Sequence, residues 1–207
     1  MTISFNPAAV GNFPGSFQAQ SQGYIQGYAL DSPSVIIDKL RAGLLASTET
    51  LPMWGGLPVS VTIPGSTAPQ LPVLARSTAN AITGAGSVRG FSVFNQAANM
   101  VQTPSSRVPT SSPGMTVNYF ELGSGARIVV QADPALIATL AAGASLDNLQ
   151  LQWDFVNARL TAFTSGTALP VLVERYDAVG NSKTVSYNSG TGFTSWAAGT
   201  YAAVIII

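Results

Sequence analysis

Residues 149–155 set Leu149, Leu151, Trp153 and Phe155 in strict alternation with Gln150, Gln152 and Asp154. Successive side chains of an extended chain point to opposite faces, so this pattern suits a strand with one face buried and one wet. The run at 202–207 is of another kind. It is apolar throughout and ends on four β-branched residues, Val204, Ile205, Ile206 and Ile207. Such residues suit a pleated chain. Without alternation, both faces need cover, either from a central place in a sheet or from a partner. Further strands are predicted at 59–63, 71–74, 90–95, 127–132, 159–164 and 169–176. Residues 183–187 are expected to return from Tyr176 as a hairpin. In 90–95, Phe91 and Val93 fall on one face, Ser92 and Phe94 on the other. The fold class is mainly β, with one or two short helices.

The first helix is predicted over 31–46. Asp31-Ser32-Pro33 offers a cap with proline in the first turn, and Val35, Ile36, Leu40 and Leu44 recur near helical spacing, with Gly43 a candidate early stop. A second is predicted over 134–144, opened by Asp133 and closed by Gly143. Residues 1–28 read as an extended arm. Phe5, Phe13, Phe17, Tyr24 and Tyr28 are spaced by Gly and Pro without a helical or strand period. Such a strap lies over its own domain or over a neighbouring subunit. The 13 residues of 102–114 hold three Pro and four Ser, and read as a loop or linker. The expected division is an arm to 30, a β-rich subdomain with a short helix over 31–101, the linker, and a C-terminal β domain over 115–207.

Composition narrows the chemistry. The 207 residues include no His and no Cys. A Ser–His–Asp triad, a Cys nucleophile, a disulfide, an iron–sulfur cluster and a Cys/His zinc site all need residues that are missing. Carboxylate chemistry, hard-cation binding or no chemistry remain, and no cofactor is expected. Only 9% of residues are charged, against about 25% in an average soluble domain. Such a surface is weakly hydrated and suits a chain that works inside an assembly. The nine basic residues are scattered singly from Lys39 to Lys183 in a net charge of zero, which argues against nucleic acid. No secretory signal or membrane-spanning run is expected, so synthesis and folding are expected in a cytoplasm. With 46% hydrophobic residues, the chain has the means for a substantial core.

Local motifs are modest. Tyr176-Asp177-Ala178-Val179-Gly180-Asn181 reads as a turn, with Asp177 starting it and Gly180 supplying positive φ. Asp177, Asn181 and Ser182 offer three oxygens, too few for calcium by themselves. Glu49, Glu121, Asp154 and Glu174 are the candidates for a hydrolytic carboxylate pair. Asp154 and Glu174 read equally well as partners of Arg159 and Arg175. Trp153, Trp196 and Tyr201 are candidates for stacking on sugars, although Trp153 is in phase with core positions.

Two stretches carry a resemblance. The first is Gly43-Leu-Leu-Ala-Ser-Thr-Glu-Thr-Leu-Pro-Met-Trp-Gly-Gly56. The second runs from Leu151-Gln-Trp-Asp-Phe-Val-Asn-Ala-Arg-Leu160 through Ala168-Leu-Pro-Val-Leu-Val173 and Lys183-Thr-Val-Ser-Tyr187 to Gly190-Thr-Gly-Phe-Thr-Ser-Trp196. Together they resemble the cement or decoration proteins on the heads of tailed bacteriophages, over roughly residues 20–207. The resemblance implies a β-barrel or jelly-roll-like body and no enzyme activity. It implies a place on the outer capsid surface of a virion assembled in a bacterial host. It also implies the major capsid protein as partner and a homo-oligomer, trimer or dimer. Phe5, Phe13, Phe17, Tyr24, Tyr28, Trp54, Ile205 and Ile206 are the expected interface residues. No catalytic, cofactor or metal residue is assigned, and neither nucleic acid nor membrane is an expected partner. The alternative is a β-rich carbohydrate-binding or host-attachment module of a virion.

Overall fold

A computed structural model describes residues 23–63, 65, 71–93, 101–103, 106–147 and 149–207, apart from the side chains of Pro33 and 101–107. Two helices and fourteen strands occur among the described residues. Helix α1 (Pro33–Lys39) leads into β1 (Leu40–Leu45), β2 (Pro58–Thr62), β3 (Val73–Arg76) and β4 (Gly90–Ser92). Then come β5 (Val101–Thr103), β6 (Ser106–Thr110), β7 (Thr116–Glu121) and β8 (Arg127–Gln131). Helix α2 (Pro134–Ala141) precedes β9 (Leu151–Asp154) and β10 (Arg159–Ala162). The chain ends with β11 (Leu172–Tyr176), β12 (Ser182–Asn188), β13 (Phe193–Thr200) and β14 (Ala202–Ile206).

Five strands close a barrel in the order β1-β3-β2-β4-β7. Only β1 and β3 run parallel. Closure leaves no free edge, and a barrel this small is filled by its own side chains. Leu45, Val59, Leu74, Phe91, Val117 and Phe120 are among those removed from water. Closure also corrects the expected domain plan. The last barrel strand, β7, comes from beyond the supposed linker, and one apolar core runs continuously from Leu45 to Ile207.

The linker itself is partly a hairpin, β5 with β6. Val108 is buried, and Met53 and Ser111 exchange backbone hydrogen bonds of 2.9 and 2.8 Å, which pins the segment to the barrel. Its Ser and Pro content resembles a loop, but these long-range partners satisfy its backbone. Helix α1 is likewise shorter than expected. At Leu40 the chain turns into β1 and pairs with β7, Leu40 opposite Phe120 and Gly43 opposite Val117. A Cβ at Gly43 would lie 2.6 Å from the Pro72 carbonyl oxygen, so close strand packing excludes a larger residue there. Sheet pairing here overrides a helical pattern of Leu and Ile. Helix α2 agrees with expectation, Asp133 accepting a 2.7 Å bond from the Ala135 N–H and Gly143 following at φ 98°.

The terminal run forms β14, the middle strand of the antiparallel sheet β11-β14-β8. Ala202, Ala203, Val204 and Ile205 are all fully buried. Ala203, Ile205 and Ile207 face the main core. Ala202 and Val204 join Val129 on the opposite face, where Tyr24, Tyr28 and Leu30 cover them. Residues 24–30 thus act as a clasp. Gly27 N–H donates to Val129 O at 2.8 Å and Val129 N–H to Tyr28 O at 3.0 Å. Gln26 N–H donates to Lys183 O at 2.9 Å, and the buried Gln26 Oε1 accepts from Val185 N–H at 2.9 Å. The clasp therefore joins β8 to β12.

The hairpin expected between 169–176 and 183–187 is not formed. β11 pairs with β14, and β12 pairs with β13. The divergence occurs at Asp177, which is 3% exposed. Its carboxylate accepts from the N–H groups of Val179, Gly180 and Asn181 and from Ser182 Oγ, at 2.6 to 3.1 Å. With Gly180 at φ 70°, the turn sends the chain out of one sheet into another.

Two outcomes test this architecture in equilibrium denaturation. Ile205→Ala should lose about 2–5 kcal/mol, as for buried large-to-small changes, and half-buried Ile206→Ala distinctly less. Gly27→Ala should lose at least ~1–2 kcal/mol, because Gly27 has φ 80° and an added Cβ would meet Gly55 Cα at 2.5 Å. Unchanged midpoints in both would refute the clasped central strand.

Candidate binding cleft

Arg76 ends β3, where its backbone N–H donates to Glu49 Oε1 at 3.1 Å. Its side chain crosses to the loop before β2, where Nη2 donates to the Pro52 carbonyl. The guanidinium carbon lies 4.4 Å from the Trp54 ring centroid, within cation–π range. Trp54 in turn stacks near Tyr187 of β12, with centroids 6.0 Å apart and planes at 26°. Burial pushes Arg76 down to about 10, against the raising influence of Glu49 and Tyr187. Trp54 Nε1 and Arg76 Nε are buried without a hydrogen-bond partner. Such donors are uncommon in folded proteins and costly to leave unpaired.

A cleft of about 400 Å³ opens beside this stack. One wall is the β9–β10 turn with Phe155 and Asn157, the other is β12 with Ser186 and Tyr187, and Gln131 of β8 also contributes. The turn is tightly held. Asp154 accepts from Val156 N–H at 3.0 Å, Asn157 N–H at 3.1 Å and Asn157 Nδ2 at 2.6 Å. Burial pushes the Asp154 carboxyl upward, but the bonds from Asn157 and Val156 and the charge of Arg159 outweigh it, leaving it below the usual range. Ala158 completes the turn at φ 52°, the left-handed region that L residues seldom adopt. A further recess of about 500 Å³ lies beside Ile82, Arg89 and Glu121.

The expected interface residues separate into three groups. Phe5, Phe13 and Phe17 lie outside the described residues. Trp54, 3% exposed, and Ile205, 0% exposed, are inside the chain's own core and not at the interface expected of them; for Ile205 this is the central-strand alternative of the terminal run. Tyr24, Tyr28 and Ile206 are half-buried, the two tyrosines against the chain's own β8–β14 face. The sheet needed that cover, and the nearest available apolar side chains preceded α1. Trp153 is buried edge-on to Phe91 at 5.7 Å, while Trp196 lies in β13 and is half-buried. Sequence reasoning missed Arg76 and Tyr187. They are far apart in the chain, Arg76 lies in no motif and Tyr187 only closes a stretch read for resemblance, and Trp54 followed by two glycines was the only local sign.

The four carboxylate candidates occupy separate settings. Glu49 serves the Arg76 backbone, and Glu121 is 3.9 Å from Arg41. Asp154 is 3.6 Å from Arg159, and Glu174 is 3.4 and 3.5 Å from Arg127 and Arg175. Among the described residues, no group of three or more His, Cys, Asp or Glu side chains is placed to hold a metal ion. No helix there is long and apolar enough to cross a membrane. Compared with protein-family models, curated proteins and solved structures, the chain matches none of them.

The turn generates two predictions. Ala158→Val should destabilise by about 1 kcal/mol or more, whereas Ala158→Gly should not, since glycine adopts φ > 0 freely. Asp154 ionises more readily folded than unfolded, so its contribution is present above the usual carboxylate range and fades as pH falls through its lowered value. Asp154→Asn should therefore lower the melting temperature at neutral pH and flatten its decline in acid. An unchanged acid limb would assign that decline to other carboxylates.

Proposed function

We propose that this chain is a non-enzymatic virion structural protein. In this reading it binds the outer surface of a tailed-phage head and stabilises it by bridging major capsid subunits. The observation that carries the reading is the character of the surface. Nine acidic and nine basic residues serve a chain with 10454 Å² of accessible area. Large aliphatic side chains stand out from it, with Ile63 81%, Ile37 72% and Leu172 56% exposed. Covering such a surface displaces few tightly held water molecules. Each ~1,000 Å² of apolar seam contributes a gross term of tens of kcal/mol at about 25 cal/mol/Å². Losses of motion and of polar hydration cancel most of it, and many copies make the remainder count. The mechanism is mechanical: contacts across a seam must break together when packaged DNA pushes outward.

The test is co-sedimentation of the purified chain with tailed-phage heads lacking their decoration protein. Saturable binding at a fixed ratio to the major capsid protein is expected. Ile63→Asp with Ile37→Asp should weaken it about tenfold or more without moving the melting temperature, because both side chains are exposed. Absence of saturable binding, or full binding by the double variant, would overturn this reading. The second reading, a β-rich carbohydrate-binding or host-attachment module of a virion, is favoured by the cleft beside Arg76.

A further inference from the structure

We propose that the cleft between the β9–β10 turn and β12 binds an acidic sugar unit, whose carboxylate is held by Arg76. The inference rests on the carbohydrate-binding reading and is independent of capsid attachment. Among the described residues, Arg76 is the only charged one in the cleft lining. It takes part in none of the ion pairs among the described residues. Glu49, the nearest acidic influence, gives Oε1 to the Arg76 backbone. The guanidinium therefore lies over the Trp54 ring with no carboxylate in ion-pair contact among the described residues; its Nε is sealed from the cleft and one Nη2 hydrogen serves the Pro52 carbonyl, which leaves the Nη1/Nη2 end to meet a ligand. A single planar fork matches a monoanionic carboxylate. A phosphate dianion would call for a second cation, and the described lining residues include none.

The other walls select the body of the ligand. Gln131, Asn157 and Ser186 provide neutral donors and acceptors suited to hydroxyl groups, and Tyr187 and Phe155 provide aromatic surface suited to the C–H groups of a pyranose. The volume of about 400 Å³ is on the scale of small-ligand sites. An acidic peptide is less well served. Extended peptides bind along a free strand edge, whereas β12 pairs with β13 along one edge and meets residues 24–26 along the start of the other.

The experiment is an NMR titration of the full chain with D-glucuronate, D-galacturonate, D-glucose, acetate and a triglutamate peptide. The hexuronates should bind saturably and shift the Trp54 indole and the side-chain amides of Gln131 and Asn157. Glucose, acetate and the peptide should each bind at least about tenfold more weakly. Arg76→Gln should remove the preference for hexuronate over glucose. Because Arg76 also braces the Pro52 loop, Ser186→Trp is the second variant. Ser186 is exposed on β12, so tryptophan there should obstruct the cleft and abolish hexuronate binding with the unfolding midpoint unchanged. Equal binding of glucose and hexuronates would overturn the acidic-sugar assignment while leaving a carbohydrate site standing. Binding of the peptide alone, or of no saccharide, would overturn both. Full hexuronate binding by a folded Ser186→Trp variant would place the ligand elsewhere and overturn the assignment.

Discussion

Strand β14 needs apolar cover on two faces at once, and the described fold is arranged around that need. The main core meets Ala203, Ile205 and Ile207. Val129, Tyr24, Tyr28 and Leu30 meet Ala202 and Val204. Removing either cover would expose aliphatic surface in the centre of a sheet, where the backbone bonds to β8 and β11 hold the strand in place. The clasp at 24–30 follows from this. It is a short segment with little capacity to fold alone, ordered because a sheet face and the N–H and C=O groups of β8 and β12 await it.

The barrel and the β8–β14 sheet form one body because their cores are continuous. Around them lie two-stranded elements: the β5–β6 hairpin, the β9–β10 hairpin and the β12–β13 hairpin. The cleft arises where two of these stand beside the barrel. β9 and β10 supply a turn fixed by Asp154, β12 supplies Tyr187, and the barrel supplies Arg76. No single element forms the site, which explains why an arginine with an ordinary sequence context has a perturbed environment. The capsid-binding proposal and the sugar-binding proposal use different parts of the molecule, the exposed aliphatic residues and this enclosed cation, and each can stand without the other.

Local sequence was informative where an element's partners hardly mattered. The alternation through Trp153 and the cap by Asp133 act over a few residues, and both are present. The same holds for the turn at Asp177 and Gly180, where the bonds to the Asp177 carboxylate all fall within five residues. The failures share an opposite origin. Residues 40–46 have a helical pattern, yet β7 pairs with Leu40–Leu44 and β3 with Leu44 and Leu45. Residues 102–114 have loop composition, yet Met53 and β13 receive them. Residues 183–187 look like the return of a hairpin, yet their partner is β13.

The sequence by itself determined that the chain is mainly β, that its C-terminal strand needs cover on both faces, that it lacks His and Cys chemistry and that it is poor in charge. These follow from side-chain period and from counting, which need no knowledge of distant neighbours. Only the tertiary structure decided which strands pair, that five of them close a barrel across the supposed linker, that the clasp residues cover their own sheet, and that Arg76 meets Trp54 and Tyr187. Strand pairing is a contest among many edges with similar local preference, and the outcome depends on long-range packing that no short window of sequence contains.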